Sequence, residues 1–471
     1  MNDKTRNQIL LVLFLGVLMG ALDIAIVAPA LPAIQHFFVV GDRVLTWTFT
    51  IYVLFNLIGT PLMAKLSDMF GRRSIYILDV VLFGFGSLIV ALSPANLFAT
   101  LLIGRALQGF GAGGIFPVAS AVIGDTFPPE KRGGALGLIG AVFGLAFLVG
   151  PILGGIIMTV TTWQWLFIIN LPIAVVVIVM SWRLLPSQRP ETRRSFDWPG
   201  MLSLGLLLSA FAYGLNQIDT ANFLGSLFSL AVWPFLLAAI VLLAIFINIE
   251  KKAADPVLRL SLFSSRQSVL ASALSAGAGI GEVSMVFIPA LALAAMPDVV
   301  NKHTASYLLM PVVLALAVGS PLVGRMLDKF GSRMVVSVGT VLLALGALMF
   351  GIWNSALWMF IIAGITIGLG LSALLGAPVR YIMLNEAPES ERTSAQGAIA
   401  IFTSIGQLIS SALVGAIAAS AGGGVSGYSA AYLAIGGMAV VLVVLTLGLK
   451  NRQDELQRVN QIKLAGVQGS K

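Results

Sequence analysis

Fourteen long apolar runs, separated by short polar loops, dominate this sequence. A helix needs about 20 apolar residues to cross a bilayer, because each residue adds about 1.5 Å and the hydrocarbon core is about 30 Å thick. The runs therefore predict an all-α integral membrane protein with fourteen transmembrane helices. The first run contains Asp23 and flows into Ala28-Pro29-Ala30, which predicts a retained helix rather than a cleaved leader. The predicted spans are 9–34, 44–64, 74–93, 98–122, 134–158, 165–185, 199–217, 227–249, 268–293, 305–324, 334–352, 356–380, 394–419 and 431–449.

The composition excludes most soluble classes of protein. Charged residues make up 10% of the chain and hydrophobic residues 58%, whereas soluble proteins carry about 25% charged residues. A water-soluble enzyme or a nucleic-acid-binding domain is thereby excluded as the bulk of the chain. The net charge of +8 lies in short loops, and the chain has no cysteine and two histidines. We expect no enzymatic activity, no nucleic-acid partner and no metal site.

The basic residues are distributed asymmetrically over the loops. With residue 1 on the cytoplasmic side, the inside loops and tails hold 25 of the 28 Lys and Arg residues. Arg380 is assigned to one of these inside loops. The outside loops hold only Arg43 and Lys302, and Arg105 lies within a span. Because cytoplasmic loops are enriched in basic residues, the pattern predicts a multi-pass protein of the cytoplasmic (inner) membrane with both termini in the cytoplasm.

The sequence also repeats itself at an offset of about 260 residues. The repeat predicts two parallel six-helix halves with two helices inserted between them, and such halves around a midplane cavity are a transporter architecture. The predicted parts are an N-terminal half (1–190), the inserted helices (191–255), a C-terminal half (256–450) and a cytoplasmic tail (451–471). The matching segments are 64–73 with 324–333, 128–137 with 388–397, and the Asp23 segment with the Glu282 segment, both of which precede Pro-Ala-Leu.

Three short motifs stand out in the first half of the sequence. They are Asp68-Met-Phe-Gly71-Arg72-Arg73 in the loop after the second span, preceded by Ala64; Arg105-Ala-Leu-Gln108-Gly109 in the fourth span; and Gly150-Pro151-Ile-Leu-Gly154-Gly155 in the fifth. They resemble, in this order, the loop motif, the helix-4 motif and the antiporter-associated motif of the major facilitator superfamily, although the family usually has Gly where this chain has Ala64.

Other segments point to one branch of that family. Leu22-Asp23 through Ala30-Leu31-Pro32, residues 163–172 and the fourteen spans resemble the fourteen-helix drug:proton antiporter branch. The resemblance covers nearly the whole chain and implies the family fold. Glu282 departs from the pattern, because the corresponding helix of this branch often lacks an acid.

Three ionisable residues lie within predicted spans, where charges are costly and commonly functional. Asp23 and Glu282 each lie about 21 Å along their helices, and Arg105 lies about 10 Å below the outer surface, so the three share a similar depth. In the family fold these helices line the central cavity. We expect proton coupling or substrate binding at these residues, with a purely structural pairing to Arg105 as the alternative. Gln108 and Asn56 are candidate polar contacts in the cavity, and Asn170 is either a further contact or a helix cap.

The resemblance implies a cytoplasmic latch that holds the two halves together while the cavity faces outward. The alternative is simple anchoring at the membrane interface. Asp79 is expected to pair with a basic residue of the latch, with a proton-relay role as the alternative. The latch residues are Asp68, Gly71, Arg72 and Arg73, with Asp125 as support and Asp328 and Arg333 as the second copy.

The antiporter motif is present in the first half only, as a directional gate would require. Pro151 removes a backbone hydrogen bond, while small residues let neighbouring helices approach. The alternative is an ordinary proline kink. The gating residues are Gly150, Pro151, Gly154 and Gly155.

The residues together predict a proton-coupled exporter of amphipathic, apolar or cationic compounds, acting as a multidrug antiporter by alternating access. No phosphate-binding glycine loop is present, so the energy is expected from the proton gradient, with no cofactor. The expected partners are a small amphipathic substrate or a lipid, membrane lipids and protons, with the chain as a monomer. One alternative is a lipid or glycolipid exporter of the same fold. Another is a membrane receptor or scaffold that transports nothing.

Overall fold

A computed structural model of the chain describes residues 2–27, 30–40, 45, 47–187, 197–219, 222–254, 256–300, 305–388 and 391–455. Every regular element within these ranges is a helix, which confirms the all-α prediction. Among the described residues, twelve helices are long and apolar enough to cross a membrane. The number is thirteen if two segments that meet at a bend of 43° form one span. The fifth predicted span coincides with a 32-residue helix. Some of its side chains lie outside the described set, so the count of fourteen stays a prediction.

The long helices are α1 (Asp3–Val27), α2 (Trp47–Phe70), α3 (Arg72–Ala91), α4 (Phe98–Thr126), α5 (Pro129–Val160), α6 (Asn170–Leu184), α7 (Trp198–Asn216), α8 (Trp233–Lys252), α9 (Arg266–Ser284), α10 (Met310–Phe330), α11 (Ser332–Ile352), α12 (Leu357–Leu374), α13 (Arg392–Ser420) and α14 (Gly424–Thr446). A further short helix, Leu31–Phe38, follows α1 along the chain. The span of α9 is broken by a 3₁₀ turn at Met285–Phe287 and resumes at Ile288–Ala295. The span of α12 resumes after a short break at Ala377–Glu386.

The internal repeat is visible in the backbone. Pro61 lies inside α2, and Pro321 lies inside α10 at the equivalent position. Gly71 ends the first of these helices at φ 94°, and Gly331 ends the second at φ 82°. Residues that carry a side chain rarely adopt such a φ, so glycine is required at both corners. The two halves therefore turn between their second and third helices in the same way.

The inserted helices lie at the periphery of the bundle. Their apolar windows are 33% buried for α7 and 17% buried for α8, against 72% for α4. The segment after α8 is attached to the first half, because Lys65 Nζ donates a hydrogen bond to Pro256 O at 2.7 Å. Most of the surface of α8 is thus left to face lipid.

The two halves meet closely at one end of the bundle, which we call the latch end because Asp68, Asp125 and Asp328 lie there. Helices α5 and α10 approach through glycine: a Cβ at Gly324 would lie 2.4 Å from Gly133 O. Helices α2 and α13 approach in the same way, with Gly397 against Ala64. Small residues allow such close packing in lipid. The structure is thus a form in which the halves are closed at the latch end.

Candidate functional site

A cavity of about 370 Å³ lies between the two halves. This volume falls within the usual range of small-molecule sites, about 300–1,000 Å³. The lining is mostly apolar, and both halves contribute to it. Its polar or charged side chains are those of Tyr52, Asn56, Thr60, Glu282, Ser320, Arg380, Thr403, Ser404 and Gln407.

Glu282 of α9 lies in the wall of this cavity. Its carboxylate Oε2 accepts a hydrogen bond from Gln407 Nε2 of α13 at 2.8 Å. Among the described residues it has no ion pair with a base. The side chain is therefore an acid in a largely apolar cavity, held by a neutral amide, as the sequence placed it.

Asp23 lies instead in a closed polar network within the first half, and it is fully buried. Its Oδ2 accepts a hydrogen bond from Arg105 Nη1 at 2.5 Å. Its Oδ1 accepts from Gln108 Nε2 at 3.0 Å and from Asn170 Nδ2 at 3.1 Å. Ser87 Oγ accepts from the same Gln108 nitrogen at 2.7 Å. Helices α1, α3, α4 and α6 are thus joined around a single carboxylate.

Arg105 is held on several sides. Its Nε donates to Thr48 O at 3.1 Å, and its guanidinium carbon lies 4.2 Å from the centroid of the Tyr52 ring. Its Nη2 has no hydrogen-bond partner among the described residues. A buried ion pair of this kind is stable only while both partners are charged and well bonded.

The structure corrects the expected orientation of this group. Asp23, Arg105 and Gln108 do not line the cavity; Gly20, Ala21 and Ile24 present the cavity face of α1. Successive helical residues differ by about 100° in direction, so Asp23 projects away from this face, towards Gln108 of α4 and Asn170 of α6. The alternative of a pair with Arg105 is the arrangement found for Asp23. Asn56 does line the cavity.

Asn170 belongs to the Asp23 network. The sequence had left its role open between a polar contact and a helix cap. The residue begins α6 and is 3% exposed. The signal was a lone amide at the start of an apolar run, next to Pro172. That signal fits a helix cap equally well, since both roles need a short polar side chain at a helix N-terminus.

At the latch end, Asp68 caps a helix of the other half. Its carboxylate accepts hydrogen bonds from Thr393 N at 3.2 Å and from Ser394 N at 2.9 Å, at the first turn of α13. Ser394 Oγ donates to the same carboxylate at 2.5 Å, and Arg72 forms an ion pair with it. A carboxylate at a helix N-terminus is stabilised by the free N–H groups and by the helix dipole.

Asp125 joins the two halves through two arginines. Its Oδ2 lies 3.1 Å from Arg72 Nε of the same half, and its Oδ1 lies 2.6 Å from Arg392 Nη1 of the other half. Asp125, expected as support for the latch, thus has Arg72 and Arg392 as its partners. Within the described part of the chain, the side-chain hydrogen bond of Arg73 stays in its own half, where Nη1 donates to Trp182 O at 3.3 Å.

Asp79 does not pair with a latch base as expected. It is fully buried in α3, and neither carboxylate oxygen has a hydrogen-bond partner among the described residues. The carboxyl group packs on Gly114 of α4, where an added Cβ would lie 2.1 Å from Oδ2. The carboxyl group therefore faces α4 in the interior of the first half.

The second copy of the latch uses different partners. Asp328 accepts hydrogen bonds from Gly133 N and Gly134 N, each at 2.9 Å, and so caps α5 of the first half. Ser332 takes the place of the arginine, and Glu455 accepts its N–H and O–H groups. Burial raises the pKa of the Glu455 carboxyl, and the bonds from Ser332 offset part of that rise. Arg333 is exposed and forms no ion pair among the described residues. No contact among those residues connects it to the latch.

The motif proposed as a gate lies on α5, beyond the latch. A Cβ at Gly150 would lie 2.6 Å from the Cβ of Ala25, so this glycine allows α1 to pack closely. Gly154 is buried and Gly155 is half-buried. A Cβ added at Gly155 would have no atom of the described residues within 4 Å. The helix runs unbroken from Pro129 to Val160. The side chain of Pro151 lies outside the described residues.

One basic residue assigned to an inside loop lies elsewhere. Arg380 is in the Ala377–Glu386 segment of α12, is 7% exposed and lines the cavity. The sequence ended the span at residue 380, whereas the helix resumes after a short break and buries the arginine. The asymmetry of the remaining basic residues is unaffected by this correction.

The chain resembles known membrane proteins along its length. The model for the Major Facilitator Superfamily matches residues 13–296 and 274–465. The uncharacterized MFS-type transporter YfiU of Bacillus subtilis (strain 168) is 34% identical over 411 residues, covering 86% of this chain and 78% of the relative. Multidrug resistance protein 3 of the same organism is 29% identical over 391 residues, covering 80% and 74%.

Solved structures have the same fold at low identity. The human organic anion transporter MFSD10 superposes with a TM-score of 0.68 at 16% identity, covering 94% of this chain and 100% of that one. The proton:xylose symporter XylE superposes with a TM-score of 0.65 at 17% identity, covering 94% and 95%.

The helical fold, the family match and the named relatives are those of a multi-pass membrane transporter rather than an enzyme. The chain belongs to the Major Facilitator Superfamily.

Proposed function

We propose that this transporter is a proton-driven exporter of amphipathic, apolar or cationic compounds in the cytoplasmic membrane. The observation that carries the proposal is Glu282, an acid in the wall of an apolar cavity between two halves that are closed at one end. Such an acid can hold either a proton or a cationic substrate, and antiport requires this competition. The multidrug names of several relatives support the substrate class.

The form closed at the latch end is, in this proposal, one state of an alternating-access cycle. With both termini in the cytoplasm, the latch closes the cytoplasmic side and the cavity belongs to the outward-facing state. Opening requires release of the helix caps made by Asp68 and Asp328. These caps are discrete interactions across the interface, so the latch can be made and broken as a unit.

The Asp23–Arg105 pair supplies, in our proposal, a second proton-dependent element. Protonation of Asp23 would remove the charge that stabilises Arg105 and weaken the contact between α1 and α4. Asp23 would thus act on the conformation of the first half, while Glu282 acts in the cavity. The driving force is the proton gradient, with no cofactor and with the chain acting as a monomer.

Replacing Glu282 by Gln is expected to impair transport of cationic substrates more than transport of neutral ones. A cation gains attraction from a carboxylate in a low-dielectric cavity, whereas a neutral compound of the same shape does not. The measurement is the efflux of a matched cationic and neutral pair from proteoliposomes at several pH values. Glu130→Gln, at an exposed position, is the control.

Equal loss for both substrates would assign Glu282 a structural role together with Gln407. Unchanged transport of both at every pH would remove Glu282 from the mechanism. Movement of lipid analogues without any dye transport would favour the lipid exporter over the drug exporter.

A further inference from the structure

Arg380 is the basic side chain among the residues that line the cavity, and the proposed cycle does not use it. It lies in the second segment of α12, and its guanidinium carbon is 3.8 Å from the centroid of the Phe116 ring on α4. The arginine of one half therefore stacks on an aromatic ring of the other half. The same α12 segment reaches the latch end, where Leu384 packs on Gly124. Arg380 thus lies between the cavity and the latch.

The guanidinium group of Arg380 is poorly satisfied. Nη1 donates to Gln396 Oε1 at a long 3.3 Å, and Nε has no partner among the described residues. Within the same part of the chain it forms no ion pair with a carboxylate. An arginine that is 7% exposed normally has an acid or a full set of acceptors, because a buried unpaired charge is costly. Arg105 of the same molecule, by contrast, is paired with a carboxylate, that of Asp23, and also bonds Gln108 and Thr48 O.

The other charged side chain in the cavity lining is that of Glu282. It is bonded to Gln407, and no ion pair joins it to Arg380 in the described structure. The cavity consequently presents one acid and one base separately, within otherwise mostly apolar walls. A substrate that is only apolar or cationic would leave Arg380 without an anionic partner in this arrangement of the cavity.

We propose that Arg380 binds an anionic oxygen group, a carboxylate, sulfonate or phosphate, on an amphipathic substrate whose apolar body fills the cavity. The inference deepens the proposed function by adding anionic and zwitterionic amphiphiles to its substrates. A guanidinium group presents N–H donors in a planar fork that matches the oxygens of such a group. The Nε–H group of Arg380, which has no partner among the described residues, is available to donate to such an oxygen. Stacking on Phe116 fixes the plane of the guanidinium group.

Binding of a matched pair of fluorescent probes tests the proposal. The full chain in phosphatidylcholine nanodiscs is titrated with 1-pyrenebutyrate and with 1-pyrenebutanol, which share one apolar body and differ in the anionic group. No pH gradient is applied, so the result does not depend on whether the protein exports anything. We expect Arg380→Gln to weaken pyrenebutyrate binding about tenfold or more and to leave pyrenebutanol binding within about twofold.

A second variant keeps the proposal testable if Arg380→Gln does not fold. Gln396→Glu places a carboxylate where an amide now lies 3.3 Å from Nη1, and so neutralises the arginine without removing it. We expect the same selective loss of pyrenebutyrate binding. Arg183→Gln makes the same charge change at an exposed position, and both affinities should stay at the wild-type value.

The two possible sources of the anionic group are distinguished by adding phosphatidylglycerol to the nanodiscs. Competition with pyrenebutyrate in the wild type, absent in Gln396→Glu, would identify a lipid headgroup as the ligand. Binding that is insensitive to phosphatidylglycerol would identify a soluble amphiphile. Equal affinities of the folded Gln396→Glu variant and the wild type for pyrenebutyrate would overturn the proposal, as would equal loss for both probes.

Discussion

Replacing Asp23 by Asn is expected to abolish proton-driven efflux and to lower the free energy of unfolding by about 3–5 kcal/mol. The substitution preserves shape and removes the titratable group. It also leaves the fully buried Arg105 without the carboxylate that lies 2.5 Å from its Nη1. Efflux is measured in proteoliposomes with an imposed pH gradient, and stability is measured by thermal unfolding in detergent.

A double variant separates the two effects. Asp23→Asn combined with Arg105→Gln removes both charges, so the uncompensated cation is gone and most of the lost stability should return. Transport should stay abolished, because the proton-dependent pair is still absent. Full efflux by the single variant, with the wild-type dependence on the pH gradient, would contradict a coupling role. Recovery of efflux in the double variant would assign the pair a structural role only.

The second large effect is expected from Asp68→Asn, which weakens the principal cap between the halves. The carboxylate accepts two backbone N–H groups and one hydroxyl at the start of α13. Hydrogen bonds to charged groups contribute about 1.5–3 kcal/mol each, so the form closed at the latch end should lose most of its population. The chain has no cysteines, so spin labels can be attached at introduced cysteines without background.

The measurement is the distance distribution between labels at Lys131 and Arg325, which lie in different halves at the latch end. Pulsed electron paramagnetic resonance should show a longer distance gaining population in Asp68→Asn. Asp454→Asn makes the same chemical change at an exposed site and should reproduce the wild-type distribution. An unchanged distribution in Asp68→Asn would leave only interfacial anchoring for this motif.

Features that repeat along the chain were predictable from the sequence. The positions of the spans follow from hydropathy, and the offset of about 260 correctly pairs Gly71 with Gly331 at equivalent corners. Asp68 and Asp328 both contact the opposite half, although the sequence could not indicate that each would cap a helix there. Hydropathy and repetition are local properties, so they are readable without knowing which helices become neighbours.

The direction of a side chain inside the bundle was not predictable in the same way. Asp23 was expected to face the cavity but projects towards α4 and α6, because the rotation of a helix about its axis is set by its neighbours, which hydropathy does not reveal. The cation partner of Asp125 across the interface is Arg392, which is 267 residues away. Arg380 was assigned to a loop because its helix breaks before it and then continues.

The central claim is that substrate leaves in exchange for protons. It is tested most directly by recording both movements in proteoliposomes that contain the wild-type protein, a cationic substrate and a pH-sensitive dye. We expect substrate movement driven by an imposed pH gradient and, in the reverse experiment, proton movement driven by an imposed substrate gradient. Both movements should be absent in Asp23→Asn. Substrate movement that is unaffected by the pH gradient and unaccompanied by protons would contradict the account.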